Sequence, residues 1–310
     1  MIALEAQKTV AARVSLDGVG LHTGAPVRVT LVPAPSDHGI FFRRTDVTGR
    51  DNMIPALYDH VRDTTLCTVL VNGAGVSVRT VEHLMAALSG LHIDNVVIEI
   101  DGPELPILDG SAKPFVEMIE RVGTRNQRPP RRAIKILKRV EIQVDGKFAA
   151  LVPGEGFGID FEIDFPSKAI DRRSGSYDLG DGGFAELLSG ARTFGFREEV
   201  EFLRSRGLAL GGSLDNAVVV DGDAIMNPEG LRFDDEFVRH KALDALGDLY
   251  LAGAPIIGRF EGFKSGHALN NKLLYALFAD RTAWTYVAAV EEVESQSGAA
   301  WASASVAAPL

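Results

Sequence analysis

The chain opens with short stretches in which apolar and polar residues alternate. TVAARVSL (9–16), PVRVTLVP (26–33) and GIFFRR (39–44) carry the period of two that turns one strand face toward a core, and Gly, Pro and Asp turns separate them. The period then lengthens. In VEHLMAALSGL (81–91) the apolar residues recur at helical spacing, with Thr80 placed to cap the helix. NVVIEI (95–100) reads as another strand and DGPELPILDGS (101–111) as a turn-rich loop. AKPFVEMIERV (112–122) reads as a helix capped by Ser111.

The same order returns further on. Strands are expected near 133–143, 147–152 and 157–163, followed by a looser stretch ending in ARTFGF (191–196). A helix near 197–206 comes next, then a strand at AVVVD (217–221), a long helix near 235–251, a strand at IIGRF (256–260) and a helix near 268–279. IDNVVIEIDG (93–102) and LDNAVVVDG (214–222) echo each other, with an Asp-Asn start, a β-branched strand and an Asp-Gly end. The echo suggests two related halves. Strands in runs with helices between them favour a layered α+β fold over a doubly wound sheet. RNQRPPRR (125–132), with no apolar residue and two adjacent prolines, is the expected linker. It divides the chain into domains at 1–124 and 133–296, leaving an Ala/Ser-biased tail at 297–310 that is expected to be loosely ordered.

Composition narrows the partners. A chain of 310 residues exceeds what one core usually organises, in keeping with two domains. With 32 Lys and Arg against 42 Asp and Glu the net charge is −10, which argues against a general nucleic-acid binder. The single cysteine, Cys67, excludes an internal disulfide and any Cys-rich metal site, so a bound metal would need His and carboxylate ligands. Set in the apolar run LCTVL, Cys67 reads as a small core residue rather than a nucleophile. With neither a signal-peptide core nor an uncharged stretch long enough for a membrane span, the cytoplasm is the expected compartment.

Two glycine-rich segments do not make nucleotide sites. In DGVGLHTG, Gly18, Gly20 and Gly24 space as G-x-G-x-x-x-G with no helix starting there, and EGFKSG around Lys264 lacks the phosphate-loop spacing. Turn chemistry explains these glycines better. The informative residues are histidines. His240 and Asp244 lie four apart on the long helix, so both side chains leave one face, which lets them grip one ion. A surface ion pair at that spacing is the plainer reading. Glu82 and His83 start the first helix, about 100° apart, so one can ligate while the other reaches from the side. His267 sits at a helix start after Gly266, where the helix dipole disfavours its charge, and Asp248 is a candidate to hold it protonated. Each piece alone is common. Together two histidines and an aspartate form a three-ligand set with a glutamate as base, a second histidine as acid and Lys241 beside a ligand, a description of metal-assisted hydrolysis.

The chain resembles the zinc-dependent UDP-3-O-acyl-N-acetylglucosamine deacetylases of lipid A biosynthesis. The resemblance runs from about Gln7 to residue 280. It rests on GVGLHTG (18–24), RDTTLCT (62–68), TVEHLMAALSGL (80–91), DGPELPILDGSAKPFVE (101–117), ARTFGF (191–196), GLALGGSLDNAVV (207–219), LRFDDEFVRHKALDALGD (231–248) and KSGHALNNKL (264–273). It implies two related α+β domains, each a two-layer α/β sandwich, with the active site between them. It further implies zinc on His83, His240 and Asp244 (Fe2+ as an alternative in the cell), Glu82 as general base, His267 as general acid and Asp248 orienting that histidine. Thr193 and Lys241 match groups around the developing oxyanion, and Phe194 and Lys264 match substrate-contacting positions.

The implied reaction is hydrolysis of the acetamide of a UDP-linked acylated amino sugar to acetate and a free amine. Its diphosphate suits Lys241 and Lys264, and its acyl chain needs an apolar groove, expected from the β-rich early part of the second domain. A monomer is favoured, with no nucleic acid and no stable membrane insertion. Two proton schemes remain, Glu82 alone or Glu82 with His267. So do two other functions: a zinc amidase on another N-acyl substrate, and a non-catalytic protein stapled by its metal.

Overall fold

The structure is a computed structural model that describes residues 6–180 and 182–288. The 297–310 tail and the last residues of the expected second domain lie outside them. The fold is α+β, as expected, and it is built from one order of elements used twice. In the first pass, strands at Val14–Val19, Pro26–Pro33, Ile40–Arg44 and Met53–Pro55 precede helix α1 (Glu82–Gly90), a strand at Val96–Ile100 and helix α2 (Lys113–Val122). The last strand inserts centrally. It pairs antiparallel with Pro26–Pro33 and parallel with Ile40–Arg44, giving a five-stranded sheet.

The second pass repeats this plan. Strands at Val140–Val144, Lys147–Val152, Phe157–Asp164 and Arg172–Asp178 come first. Helix α3 (Gly183–Leu187) and helix α4 (Arg197–Ser205) then precede helix α5 (Glu236–Tyr250), the strand Ile256–Phe263 and helix α6 (His267–Ala279). Ile256–Phe263 again lies centrally, antiparallel to Lys147–Val152 and parallel to Phe157–Asp164. The strands Arg132–Ile136 and Trp284–Ala288 extend this sheet beside Ile256 and Ile257.

The repeat is therefore real, but it is not the one the sequence echo suggested. Val96–Ile100 corresponds to Ile256–Phe263. The echoing Val218–Asp221 lies in a small separate sheet with Phe194–Phe196 and Ala224–Ile225. A β-branched run between Asp-Asn and Asp-Gly is generic strand-and-turn chemistry, so its recurrence did not report position in the fold. Each pass carries an insertion before its first long helix. The first holds strands Val61–Asp63, Val69–Val71 and Ser77–Arg79, and the second holds α3, α4 and the small sheet.

The expectation that 125–132 could not lie inside an element is corrected. Thr124–Pro130 is a strand, paired antiparallel with Ala6–Val10. The register shifts between Ala6 and Lys8, where the partner is Pro130, so the prolines fall at the irregular end. Outside this two-stranded pairing, the Lys8 carbonyl accepts the Asp94 and Asn95 amides and the Lys8 amide donates to Asp94 Oδ2. Thr80 does not cap α1. It stands at φ 59° with its hydroxyl donating to Glu104 at 3.2 Å, while Ser111 Oγ does accept the Lys113 amide at the start of α2 (3.2 Å).

Helices α1 and α5 pack across each other with most of their residues buried, whereas α4 buries none and lies against the small sheet. A β-carbon at Gly247 would lie 2.0 Å from the Glu82 carbonyl oxygen and 3.1 Å from the Ala86 nitrogen, so the two helix backbones touch at this glycine. Gly247→Ala is expected to force the helices apart and to destabilise the fold by about 3 kcal/mol. The measurement is a denaturant or thermal midpoint, with lowered activity because Glu82 itself is displaced.

Candidate active site

The N-terminal end of α1 and the middle of α5 meet at the crossing. His83, His240 and Asp244 are buried there, and one ligand atom from each lies within 4.8 Å of the others. His83 Nε2 is 3.6 Å and His240 Nε2 3.5 Å from Asp244 Oδ1. The two imidazoles stand edge to face, their centroids 5.1 Å apart. His240 Nδ1 donates to the Ala191 carbonyl (3.1 Å), which leaves the Nε2 lone pair facing the cluster. Burial, only partly offset by Asp244, pushes the His240 pKa down to about 4, so this imidazole is neutral and able to ligate. Burial works against the Asp244 charge, but His240 and Lys241 outweigh it and hold the carboxyl well below the usual range. Two imidazole nitrogens and an ionised carboxylate oxygen suit a divalent ion in a three-ligand site.

Beside this group lie the other acid–base residues. Glu82 is buried, and that burial raises its pKa despite the positive charge of His267. Its Oε2 accepts the Thr68 amide at 3.1 Å, and its Oε1 is 3.9 Å from His267 Nε2. His267 is the first residue of α6, and its Nδ1 donates to Asp248 Oδ2 at 2.8 Å. Burial disfavours the imidazolium, but Asp248 and Glu82 override it and lift the pKa to about 9. The helix-start position would by itself work against the charge, so these carboxylates decide its state. Asp248 is further held by Asn270 Nδ2 on Oδ2 (2.9 Å) and by Thr68 Oγ1 on Oδ1 (2.6 Å).

Nine of the ten residues singled out in the sequence line one cleft of about 550 Å³: Glu82, His83, Thr193, Phe194, His240, Lys241, Asp244, Lys264 and His267. The tenth, Asp248, stands behind His267. Lys241 Nζ donates to Asp244 Oδ2 at 2.7 Å, and Asp244 raises the Lys241 pKa against the opposing effect of burial. Lys264 reaches Asp164 at 3.0 Å. Phe194 packs edge-on against Phe237, with centroids 4.9 Å apart. Cys67 also faces the cleft, but burial pushes its thiol up to about 12, so it is no nucleophile at neutral pH.

A second groove, of about 390 Å³, opens off the cleft past Thr193, Phe194 and Gly195. Its walls include Val200, Leu203, Leu214, Val219 and Met226. This apolar groove lies in the inserted segment of the second half, away from the early strands. The early strands instead bury their apolar faces in the core.

Several supporting groups gave no signal in the sequence. Arg192 is only 2% exposed and binds Glu236 through Nε (2.8 Å), Glu229 through Nη1 (2.6 Å) and the Gly230 carbonyl through Nη2 (2.7 Å). This cluster fixes 191–193, hence the carbonyl that orients His240 and the backbone of Thr193. Glu104 accepts the amides of His22 and Thr23, both at 2.8 Å, and so ties the GVGLHTG turn to the α1 start. At Gly20 a β-carbon would sit 2.4 Å from Glu104 Oε2, which accounts for that glycine without any nucleotide.

A layered α+β scaffold with a buried His–His–Asp group in a cleft, flanked by a carboxylate and a charged histidine, defines a hydrolase-type site able to hold one metal ion. Residues 7–279 match the family described as UDP-3-O-acyl N-acetylglycosamine deacetylase, and the chain belongs to that family. It is accordingly an enzyme, a deacetylase. Proteins named UDP-3-O-acyl-N-acetylglucosamine deacetylase are similar along almost their full length. That of Phenylobacterium zucineum is 55% identical over 278 residues, covering 90% of this chain and 95% of the relative. That of Vibrio parahaemolyticus is 51% identical over 291 residues (93% and 95%), and that of Shewanella frigidimarina 48% over 290 residues (93% and 94%). Among the described residues no helix is long and apolar enough to cross a membrane.

Proposed function

We propose that the chain hydrolyses the N-acetyl group of UDP-3-O-acyl-N-acetylglucosamine, giving acetate and the free amine in lipid A biosynthesis, with one divalent ion on His83, His240 and Asp244. Zn2+ is the proposed ion and Fe2+ the alternative. The observation that carries the reading is that a three-ligand set shares one cleft with two proton-transfer groups of opposite character. The proposal includes the division at 1–124 and 133–296, a cytoplasmic setting and a monomer.

When bound, the ion supplies Lewis acidity toward the acetamide carbonyl and makes water easier to deprotonate. Glu82, buried and more basic than an ordinary carboxylate, takes the proton of the attacking water. Thr193 and Lys241 line the same cleft and are the proposed donors to the carbonyl oxygen as it gains charge. His267 has Nδ1 committed to Asp248, so the proton it gives to the departing amine nitrogen is the one on Nε2. Asp248 orients that imidazole. Phe194 and Lys264 are proposed substrate contacts, Lys264 and Lys241 toward the diphosphate. The acyl chain fits the apolar groove beyond Phe194.

The direct test is metal analysis of the purified protein with a deacetylase assay before and after chelation. One equivalent of metal and chelator-sensitive turnover of the UDP-linked substrate are expected. Equal rates on simple N-acetyl compounds would favour a general amidase instead. Glu82→Ala should keep the metal and lose at least about a hundredfold in kcat; surviving activity would remove Glu82 from the base role. An acid with a pKa of about 9 is protonated below that pH, so the rate should fall as pH rises through about 9. His267→Ala should retain metal, lose most of kcat and lose this alkaline limb, as read from its pH–rate profile.

A further inference from the structure

Thr68 immediately precedes the strand Val69–Val71 in the first insertion and is 2% exposed. It contacts the proposed base and the carboxylate that orients the proposed acid. Its amide donates to Glu82 Oε2 at 3.1 Å, and its hydroxyl donates to Asp248 Oδ1 at 2.6 Å. The other oxygen of Asp248 accepts His267 Nδ1 at 2.8 Å, and His267 Nε2 returns to within 3.9 Å of Glu82 Oε1. Base, acid and acid-orienting carboxylate thus form a closed ring through one threonine, although Thr68 and Asp248 are 180 positions apart and belong to different halves.

The ring matters because an aspartate carboxylate turns readily about its last torsion. Oδ2 carries both His267 and Asn270, which constrain only one edge of the group. Thr68 grips the opposite oxygen and so fixes the carboxylate plane, and with it the direction of His267 Nε2. The amide of the same residue fixes one oxygen of Glu82 and leaves Oε1 facing the histidine. We propose that Thr68 is a positioning residue for the deacetylation, setting acid and base at a fixed mutual distance across the seam between the halves.

This rests on the assignment of Glu82 and His267 in the proposed function, so the experiment is a double-mutant cycle on the metal-loaded enzyme. Thr68→Val removes the hydroxyl at nearly constant volume and keeps the amide. It is expected to lower kcat about 10- to 100-fold, with KM and metal content unchanged, and Thr68→Ser should restore most of the rate. Because Thr68 acts through His267, Thr68→Val in a His267→Ala background should cost less than about threefold more.

The proposal is overturned by a wild-type kcat in Thr68→Val. It is equally overturned by the same fold-loss with and without His267, or by a serine variant as slow as the valine one. Loss of the fold in both Thr68→Val and Thr68→Ala would assign the hydroxyl to stability alone and also overturn it. A His267→Ala enzyme with unchanged kcat would instead sink the acid assignment beneath it, which separates the two failures.

Discussion

The contact between the Glu82 carbonyl and Gly247 is the constraint on which the rest depends. Any side chain at 247 would collide with α1, so α1 and α5 can cross at backbone distance only because this residue is glycine. That closeness brings His83 from one helix to within 3.6 Å of Asp244 on the other. A metal site tolerates only a few tenths of an ångström in its donor distances. Two sandwiches joined through side chains alone would hold it less well than two helices in backbone contact.

The seam is also where charge is buried, and two buried histidines there end with opposite shifts because their partners differ. His240 has a carbonyl behind it, and burial, only partly offset by Asp244, takes its pKa down to about 4. His267 has Asp248 behind it and Glu82 in front, and its pKa rises to about 9. In the proposed mechanism the neutral imidazole is the lone-pair donor to the ion and the charged one the proton donor. Burial disfavours the charge on both, and only at His267 do carboxylates, Asp248 foremost, override it.

Much of this could be read in the sequence. The two α5 residues four apart, the Glu-His pair at a helix start and the isolated His267 each had a geometric meaning that needed only the helices to be right. The helices were right because their apolar periodicity is strong and local. The strand at 124–130 was missed because a ribbon of polar residues carries no hydrophobic alternation, and its partner lies more than a hundred residues away. The repeat was recognised through the wrong pair of strands, because strand sequences encode burial and turns but not neighbours. Thr68, Asn270, Arg192 and Glu236 were invisible for a related reason. Each acts through a partner in another element, and a lone threonine in an apolar run looks like any strand residue.

The two insertions break the symmetry that the repeated scaffold would otherwise impose. The duplicated sheets and helices supply the seam, but a seam between like halves offers no reason for base and acid to differ. The first insertion brings Thr68 to the Glu82 side and across to Asp248. The second brings the 191–193 segment over His240 and, in the same stretch of chain, walls the apolar groove. Phe194 packs edge-on against Phe237 of α5 and also lines the groove, so in the proposed mechanism the anchoring of His240 and the seating of an apolar substituent share one ring. A substrate lacking the apolar chain would leave the groove side of Phe194 exposed to water. The proposed preference for an acylated sugar therefore follows from the same packing that holds His240 in place.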